Sequence, residues 1–268
     1  RAIALQSDNA MFHANRGQIL ATMGRLGEAR KVHEKALSLD PEQPVALAGI
    51  AYLVYSNDGA AACSEWCREQ IDAGHAFEEV YRYQVMSLTS LREYEAAVAA
   101  ADAGIQRYGN SAWLHLRRAY AVKFSDRAAA IADARRAVAL APNNAFMHEA
   151  LGKMLVLGNA ENSELEEAVS SFARQSELSP KTGAAYLNCA VTLMRLGRPN
   201  DAIARMRLVV ARVPMWAKGH ENLGALLLDT GQLDQAIAAL EHGLTKVPGN
   251  DGIAYRLAFA LRRRCQEQ

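Results

Sequence analysis

Apolar residues of this chain gather in runs of helical character, and five of these runs stop at a proline. The runs read ALSLDP, AVALAP, SELSP, VVARVP and LTKVP, and they end at Pro41, Pro142, Pro180, Pro214 and Pro248. Proline ends a helix because it has no amide hydrogen to donate to the preceding turn. Alanine-rich stretches such as AAVAAADAG favour helix, and β-branched residues are not clustered as strands require. The pattern predicts an all-α protein.

The same prolines define a period along the chain. The last three are 34 residues apart, and the interval from Pro142 to Pro180 is four residues longer. A fixed spacing of this kind is the signature of a repeat protein. We place seven repeats at about 10–43, 44–77, 78–110, 111–144, 145–182, 183–216 and 217–250, and a capping or linking helix at 251–268.

Small residues recur at two places of each repeat, and glycines recur in the turn between them. The eighth place holds Gly17, Ala51, Gly152, Ala190, Gly224 and Ala258. The twentieth holds Ala29, Cys63, Ala97, Ala130, Ala168, Ala202 and Ala236. Gly24, Gly197 and Gly231 supply the conformation that ends a helix at low cost. Small side chains let two helices cross closely, so we expect Ala202→Glu or Gly224→Trp to unfold the neighbouring repeats.

These features resemble the tetratricopeptide repeat family, in a bacterial-type array, over essentially the whole chain. The resemblance implies a right-handed α-solenoid of helical hairpins, with residues 1–268 forming a single solenoid. Residues 1–9, RAIALQSDN, are similar to RAVALAPNN at 136–144. We therefore interpret them as the tail of a preceding, truncated repeat. Such a unit cannot bury its apolar face alone.

Four repeats depart from the pattern. Repeat three has Gly109 where the proline is expected. Repeat two has no closing proline, and repeat five carries the insertion NAENSELEE. In repeat four an arginine, Arg117 or Arg118, falls at the small eighth place. Either the first helix is shifted by a residue or an arginine reaches across the groove with its stem packed; we favour the shift.

Composition and charge exclude several classes of function. The net charge of +1, from 30 basic and 29 acidic residues, does not favour a nucleic-acid binder. No apolar run is long enough for a membrane span. Cys63, Cys67 and Cys189 fall at core places and lack metal-ligand spacing. The cysteines favour a reducing compartment such as the cytoplasm, although the sequence does not identify the location.

Catalysis also lacks a recognisable motif. His13, His148 and His220 share the fourth place of their repeats, which indicates packing. No set of catalytic residues, metal ligands or phosphate-binding glycines is recognisable. We therefore expect this segment to have no catalytic residue, metal or cofactor.

The resemblance instead implies that the first helices line a groove that binds a peptide. The places that face such a groove hold Asn15, Gln18, Tyr52, Tyr55, Arg82, Tyr83, Met86, His115, Lys153, Asn188, Arg195, Lys218 and Asn222. Asn15, Asn188 and Asn222 share the sixth place, which is similar to part of the asparagine-lined superhelix of O-linked N-acetylglucosamine transferases. The Lys, Arg and Asn set of the carboxylate clamp found in chaperone-binding members is absent.

The predicted function is a protein-interaction scaffold that binds a peptide or disordered segment of a partner protein. One alternative is the targeting arm of a larger enzyme of the glycosyltransferase, sulfotransferase or hydroxylase type, with its catalytic domain outside this segment. Another is self-association through the N-terminal repeat edge.

Overall fold

A computed structural model of the chain describes residues 8–75 and 77–267, and these ranges contain fifteen α-helices and no strand. The all-α prediction is confirmed. The helices of the first four hairpins are α1 Ala10–Thr22, α2 Leu26–Leu39, α3 Pro44–Asn57, α4 Gly59–Asp72, α5 Glu78–Ser90, α6 Tyr94–Arg107, α7 Ala112–Val122 and α8 Arg127–Leu140. They are followed by α9 Ala145–Leu155, α10 Asn162–Leu178, α11 Gly183–Arg195, α12 Pro199–Arg212, α13 Ala217–Asp229, α14 Leu233–Lys246 and α15 Asp251–Glu267.

The chain divides into two compact units, Arg1–Leu140 and Ala141–Gln268. Unit 1 contains four helical hairpins, α1–α2, α3–α4, α5–α6 and α7–α8. Each of its first helices (α1, α3, α5 and α7) packs against its own second helix, and α1, α3 and α5 also pack against the next first helix of the unit. Unit 2 contains three hairpins, followed by α15, which packs on α13 and α14. The tail predicted at residues 1–9 lies mostly outside the described residues.

The helix boundaries follow from capping residues and prolines. Asn9, Ser111 and Asn144 each precede a first helix and accept a hydrogen bond from a backbone amide of its first turn, at 3.0–3.2 Å. This is the preferred N-cap chemistry. At the other end, α2, α8, α10, α12 and α14 each stop two residues before one of the five prolines that define the period.

The predicted small places are buried at the helix crossings. Gly17, Ala51, Gly152, Ala190 and Gly224 are buried on their first helices. The seven residues of the twentieth place are all 1% exposed or less. A Cβ atom added to Gly152 would lie 2.6 Å from the ring of Phe172, so the close approach requires glycine.

The terminal helix α15 differs from the expectation for its apolar stripe. Ala258, predicted to lie at a close helix crossing, is exposed, whereas Ile253 and Ala260 are buried. The helix buries the side that faces α13 and α14.

The residue at the fourth place fastens each first helix of unit 2 to the turn before it. Nε2 of His148 donates to the carbonyl of Pro142, and Nε2 of His220 donates to that of Pro214, both at 2.8 Å. The Tyr186 hydroxyl donates to Pro180 in the same way, at 3.3 Å. These histidines have the structural role that their shared place predicted.

Within the described residues, no helix is both long and apolar enough to cross a membrane.

Candidate functional site

All thirteen predicted groove residues lie on first helices, but their exposure differs. Exposed side chains are those of Asn15, Gln18, Tyr52, Lys153, Arg195 and Lys218. Half-buried side chains are those of Tyr55, Arg82, Tyr83, Met86, Asn188 and Asn222. His115 is buried.

A cavity of about 500 Å³ opens on the first helices of unit 1. It is bordered by Gln18, Ala21, Thr22, His33, Pro44, Val45, Ala48, Gly49, Tyr52, Glu79 and Tyr83. Most of these side chains are apolar or aromatic, as in typical ligand pockets. We call this space the large cavity. Its residues come from α1, α3 and α5, with His33 supplied by α2.

His33 enters the wall of the large cavity because two glycines make room for it. The ring of His33 is 1% exposed, and a Cβ atom added to Gly17 would lie 2.6 Å from it. Gly49 leaves space on the other side of the ring. Within the described residues, neither ring nitrogen has a hydrogen-bond partner. Burial holds the pKa of His33 below its ordinary value, because the charged form loses its hydration.

Three tyrosines line the groove beside this cavity. Tyr52 is 45% exposed, and the ring centroids of Tyr55 and Tyr83 are 6.3 Å apart in a tilted arrangement. The Tyr55 hydroxyl lies 2.9 Å from Oγ of Ser90, which fixes the ring. Burial raises the pKa of Tyr83, with a smaller opposing effect from Arg82. The rings therefore provide neutral, amphipathic contact surface along α3 and α5.

Two arginines, Arg82 on α5 and Arg117 on α7, lie next to these tyrosines without a carboxylate partner. Among the described residues, neither guanidinium has a hydrogen bond or an ion pair within 4 Å, and both Nε atoms are buried. Arg82 stacks over the ring of Trp113, 4.9 Å from its centroid. The pKa of Arg117 is lowered, mainly by burial and then by the positive charge of Arg82. We call these two residues the arginine pair.

The arginine pair borders a second, small cavity of about 30 Å³. Tyr83 and Met86 complete its wall. Tyr83 also borders the large cavity, so the two spaces adjoin at this residue. We call these two spaces together the unit-1 groove; their lining residues come mainly from α1, α3, α5 and α7.

Arg117 was not predicted as a groove residue because the register of repeat four was open by one residue. The helix begins at Ala112, after the Ser111 cap. Counted from there, the small eighth place is Ala119, which is 0% exposed, and Arg117 takes the sixth place. The favoured one-residue shift agrees with this structure. The Ser111 cap was the signal in the sequence that could have located Arg117.

His115 does not face the groove, in contrast to its prediction. Its Nδ1 atom lies 2.9 Å from Oδ1 of the buried Asp133 on α8. Arg118 donates to both oxygens of the same carboxylate. The one-residue shift turns His115 to the fourth place, where a side chain packs between the two helices of the hairpin.

The cationic candidates of unit 2 already have partners within the unit. Lys153 pairs with Glu149, and Lys218 pairs with Glu221 at 2.8 Å. The guanidinium of Arg195 donates to the carbonyls of Val156 and Gly158, at 2.6 and 3.2 Å, and thereby holds the loop of the predicted insertion. These three cations therefore already have acceptors within unit 2.

The two asparagines of unit 2 that were predicted to face the groove are Asn188 and Asn222. Nδ2 of Asn222 is buried without a partner among the described residues. Asn188 is half-buried on α11, one repeat earlier. A side-chain amide offers both donors and an acceptor, so the two remain candidates for contact with a peptide backbone.

The buried cysteines are part of the core. Cys63 and Cys67 are 0% exposed, with their Sγ atoms 3.9 Å apart on α4. The hydrogen bond with Cys63, together with burial, raises the pKa of Cys67 far above that of a free thiol. In the described part of the chain, no three His, Cys, Asp or Glu side chains converge as metal ligands.

Comparison with known proteins identifies the repeats. Residues 12–43 and residues 187–251 each match a family model described as tetratricopeptide repeat. A stretch of 107 residues is 38% identical to the Hsp70-Hsp90 organizing protein of Triticum aestivum. That stretch is 39% of this chain but only 18% of the wheat protein.

Solved structures show the same fold. The C-terminal part of a TPR repeat-containing protein from Cytophaga hutchinsonii has a TM-score of 0.61 at 16% identity, over 91% of this chain and 99% of that one. A chain of the APC/C hetero-tetramer Cut9-Hcn1 has a TM-score of 0.61 at 15% identity, over 97% and 50% of the two chains. The predicted fold of tetratricopeptide hairpins is confirmed. Proteins built from such repeats are generally protein-interaction scaffolds.

Proposed function

We propose that this tetratricopeptide-repeat chain is a protein-interaction module whose unit-1 groove binds an extended peptide segment of a partner protein. The observation that carries the proposal is the arrangement of free contact groups along α1, α3, α5 and α7. An apolar cavity, three tyrosines and two unpartnered arginines follow one another on these helices. Peptide-binding grooves combine such apolar pockets with a few polar groups that fix orientation.

Rigidity of the helices supports this function. The groove side chains project from packed helices, and contacts such as Tyr55–Ser90 and Arg82–Trp113 already restrict them. A receptor that is ordered before binding loses less conformational entropy when the peptide arrives. A larger part of the free energy of the contacts then contributes to the affinity for the peptide.

The wheat relative is named as an organizer of Hsp70 and Hsp90, but the partner proposed here is different in kind. The match covers a small part of that protein. The basic side chains of neighbouring first helices in unit 2 are paired with Glu149 and Glu221, and unit 1 presents arginines and tyrosines in place of a Lys and Asn set. We therefore propose an internal peptide segment rather than a chaperone tail as the ligand.

Affinity capture from the native lysate tests the proposal. The immobilised chain is compared with the variant Gln18→Ala/Tyr52→Ala, whose two exposed side chains border the large cavity. Tyr94→Ala is the matched control, because Tyr94 is an exposed tyrosine on the second helix α6. We expect the partner to be lost with the groove variant and retained with the control. Equal capture by all three proteins would place binding elsewhere.

A second comparison locates the extent of the site. The variant Asn188→Ala/Asn222→Ala removes the two candidate amides of unit 2. Capture that survives this change and fails with the groove variant would limit the site to unit 1. Capture that fails only with the asparagine variant would contradict binding at the unit-1 groove.

A further inference from the structure

The arginine pair differs from the other cations described above because, within the described part of the chain, it lacks an acceptor for its guanidinium groups. Arg118 binds Asp133 and Asp102, and Arg195 binds two backbone carbonyls. Arg82 and Arg117 have no such acceptor among the described residues, and each keeps a buried Nε atom unbonded. A buried donor without an acceptor is costly in free energy. Two neighbouring guanidinium groups add mutual repulsion.

We propose that the arginine pair binds the carboxylate of an aspartate or glutamate in the partner peptide. This inference rests on the proposed function and specifies the chemistry of its ligand. A carboxylate supplies the missing acceptors and the opposite charge at once. The planar fork of arginine matches a carboxylate in two parallel hydrogen bonds.

The size of the small cavity agrees with a compact ligand group. Its volume of about 30 Å³ is more than one ordered water requires. The oxygen end of a carboxylate fits a space of this size. The arginine pair therefore binds an acidic side chain, and larger side chains of the peptide bind elsewhere in the unit-1 groove.

The adjoining large cavity defines a second feature of the peptide. Its volume of about 500 Å³ and its largely apolar wall suit an apolar side chain. Because Tyr83 borders both cavities, the apolar and acidic residues must be near neighbours in sequence. An extended chain advances about 3.3 Å per residue, so we place them roughly two to three residues apart.

Glu79 is an acidic residue on the wall of the large cavity. It borders the large cavity one turn before Arg82 on α5 but forms no ion pair with it within 4 Å. Its charge opposes an acidic peptide. Glu79→Gln removes this repulsion. It should therefore increase the affinity for an acidic peptide by a few-fold.

Selection from a random decapeptide library tests the inference with the whole 268-residue chain. Wild type is compared with Arg82→Gln/Arg117→Gln and with Arg136→Gln, which removes an exposed arginine of α8 outside the groove. We expect wild type and Arg136→Gln to enrich peptides with an acidic residue near an apolar one. The double variant should lose the acidic preference. Thermal melting and circular dichroism verify that each variant is folded.

The result separates the two proposals. Peptides that are enriched without an acidic preference, and equally by the double variant, would overturn the carboxylate inference and leave the proposed function intact. No enrichment by wild type would count against the proposed function itself.

A measurement on the peptide side does not depend on the stability of any variant. The best enriched peptide is synthesised with its acidic residue unchanged, replaced by the neutral amide, or replaced by phosphoserine. Loss of the charged hydrogen bonds should weaken binding of the amide form by about 10- to 100-fold, and added salt should weaken the acidic form. Equal binding of acid and amide would refute the inference. Tighter binding of phosphoserine would assign the pair to phosphate instead.

Discussion

Asp133 on α8 accepts two hydrogen bonds from the guanidinium of Arg118 on α7, from Nε and from Nη2, each at 2.7 Å. The carboxylate is 5% exposed, and Nδ1 of His115 is its third partner at 2.9 Å. This cluster joins the two helices of the fourth hairpin through charged groups. Arg118, at the seventh place of α7, therefore has its hydrogen-bond acceptors within the protein.

The first prediction concerns this buried acid. Asp133→Ala removes the acceptor of two donors and should lower the free energy of unfolding by about 3 kcal/mol, because a partly buried charge loses its partner. Urea titration followed by circular dichroism measures the change. Asp102→Ala breaks the exposed ion pair of the same arginine and should cost less than about 1 kcal/mol. Equal costs for the two variants would contradict a structural role for burial at Asp133.

The second prediction concerns the turn before α6. Arg92 has a φ of 64°, whereas Gly24, Gly197 and Gly231 hold the corresponding place with φ of 70–75°. A side chain in this left-handed region costs about 1 kcal/mol or more. Arg92→Gly should therefore raise the melting temperature by several degrees, as measured by calorimetry. The reciprocal change Gly231→Arg should lower it, and an opposite sign in either variant would refute the explanation.

Most of the fold could be predicted because the crossing points depend on residue size alone. Alanine and glycine at the eighth and twentieth places report where backbones approach, and Cys63 and Ala202 are both 0% exposed as expected. The groove was harder to predict. Whether a polar side chain is free depends on neighbours from other helices, so sequence could not distinguish Arg195, which holds a loop, from Arg82, which has no acceptor.

Register explains the remaining differences. A single residue turns a helix by about 100°, which is enough to move His115 from the groove into the hairpin interior and Arg117 into the groove. The N-cap at Ser111 fixes the start of α7. Periodicity alone could not, because the turn that follows α7, at 123–126, is one residue longer than the three-residue turns that follow α1, α5, α11 and α13.

The third prediction tests the helix crossings in unit 2. A side chain added at Gly224 would meet the buried Leu240, and Ala202 is fully enclosed. Gly224→Trp and Ala202→Glu should each unfold the adjacent hairpins, by steric overlap in one case and a buried unpaired charge in the other. Gly27→Ala is the control, because no atom lies within 4 Å of its added Cβ. Near-wild-type melting of the two crossing variants would disprove the register.

The fourth prediction is acid sensitivity through His33. The folded state keeps this ring neutral, with a lowered pKa, while the unfolded state binds a proton below about pH 6.5. Unfolding then takes up a proton, so stability is present above that pH and falls as the pH decreases below it, by at most about 1.4 kcal/mol per unit. Urea midpoints at pH 7 and pH 5 measure the effect.

His33→Phe is the matched variant for this test. It keeps a planar ring between Gly17 and Gly49 and removes two buried nitrogens that have no partner. Replacement of an unsatisfied polar group by an apolar one of similar shape is close to neutral or stabilising. The variant should show a smaller loss between pH 7 and pH 5 than wild type. An identical loss would assign the pH dependence to other histidines.

The fifth prediction is that the charge of Arg117 lowers stability but increases the affinity for a peptide. The residue is half-buried, unpaired and repelled by Arg82, so Arg117→Met keeps the packed stem and removes a charge that lacks an acceptor. We expect the free energy of unfolding to rise by about 1 kcal/mol while the affinity for an acidic peptide falls. Urea titration and fluorescence anisotropy measure the two quantities. Arg136→Met, at an exposed position, should change neither by more than about 0.5 kcal/mol. Destabilisation by Arg117→Met with unchanged binding would show that the guanidinium serves the fold and not a ligand.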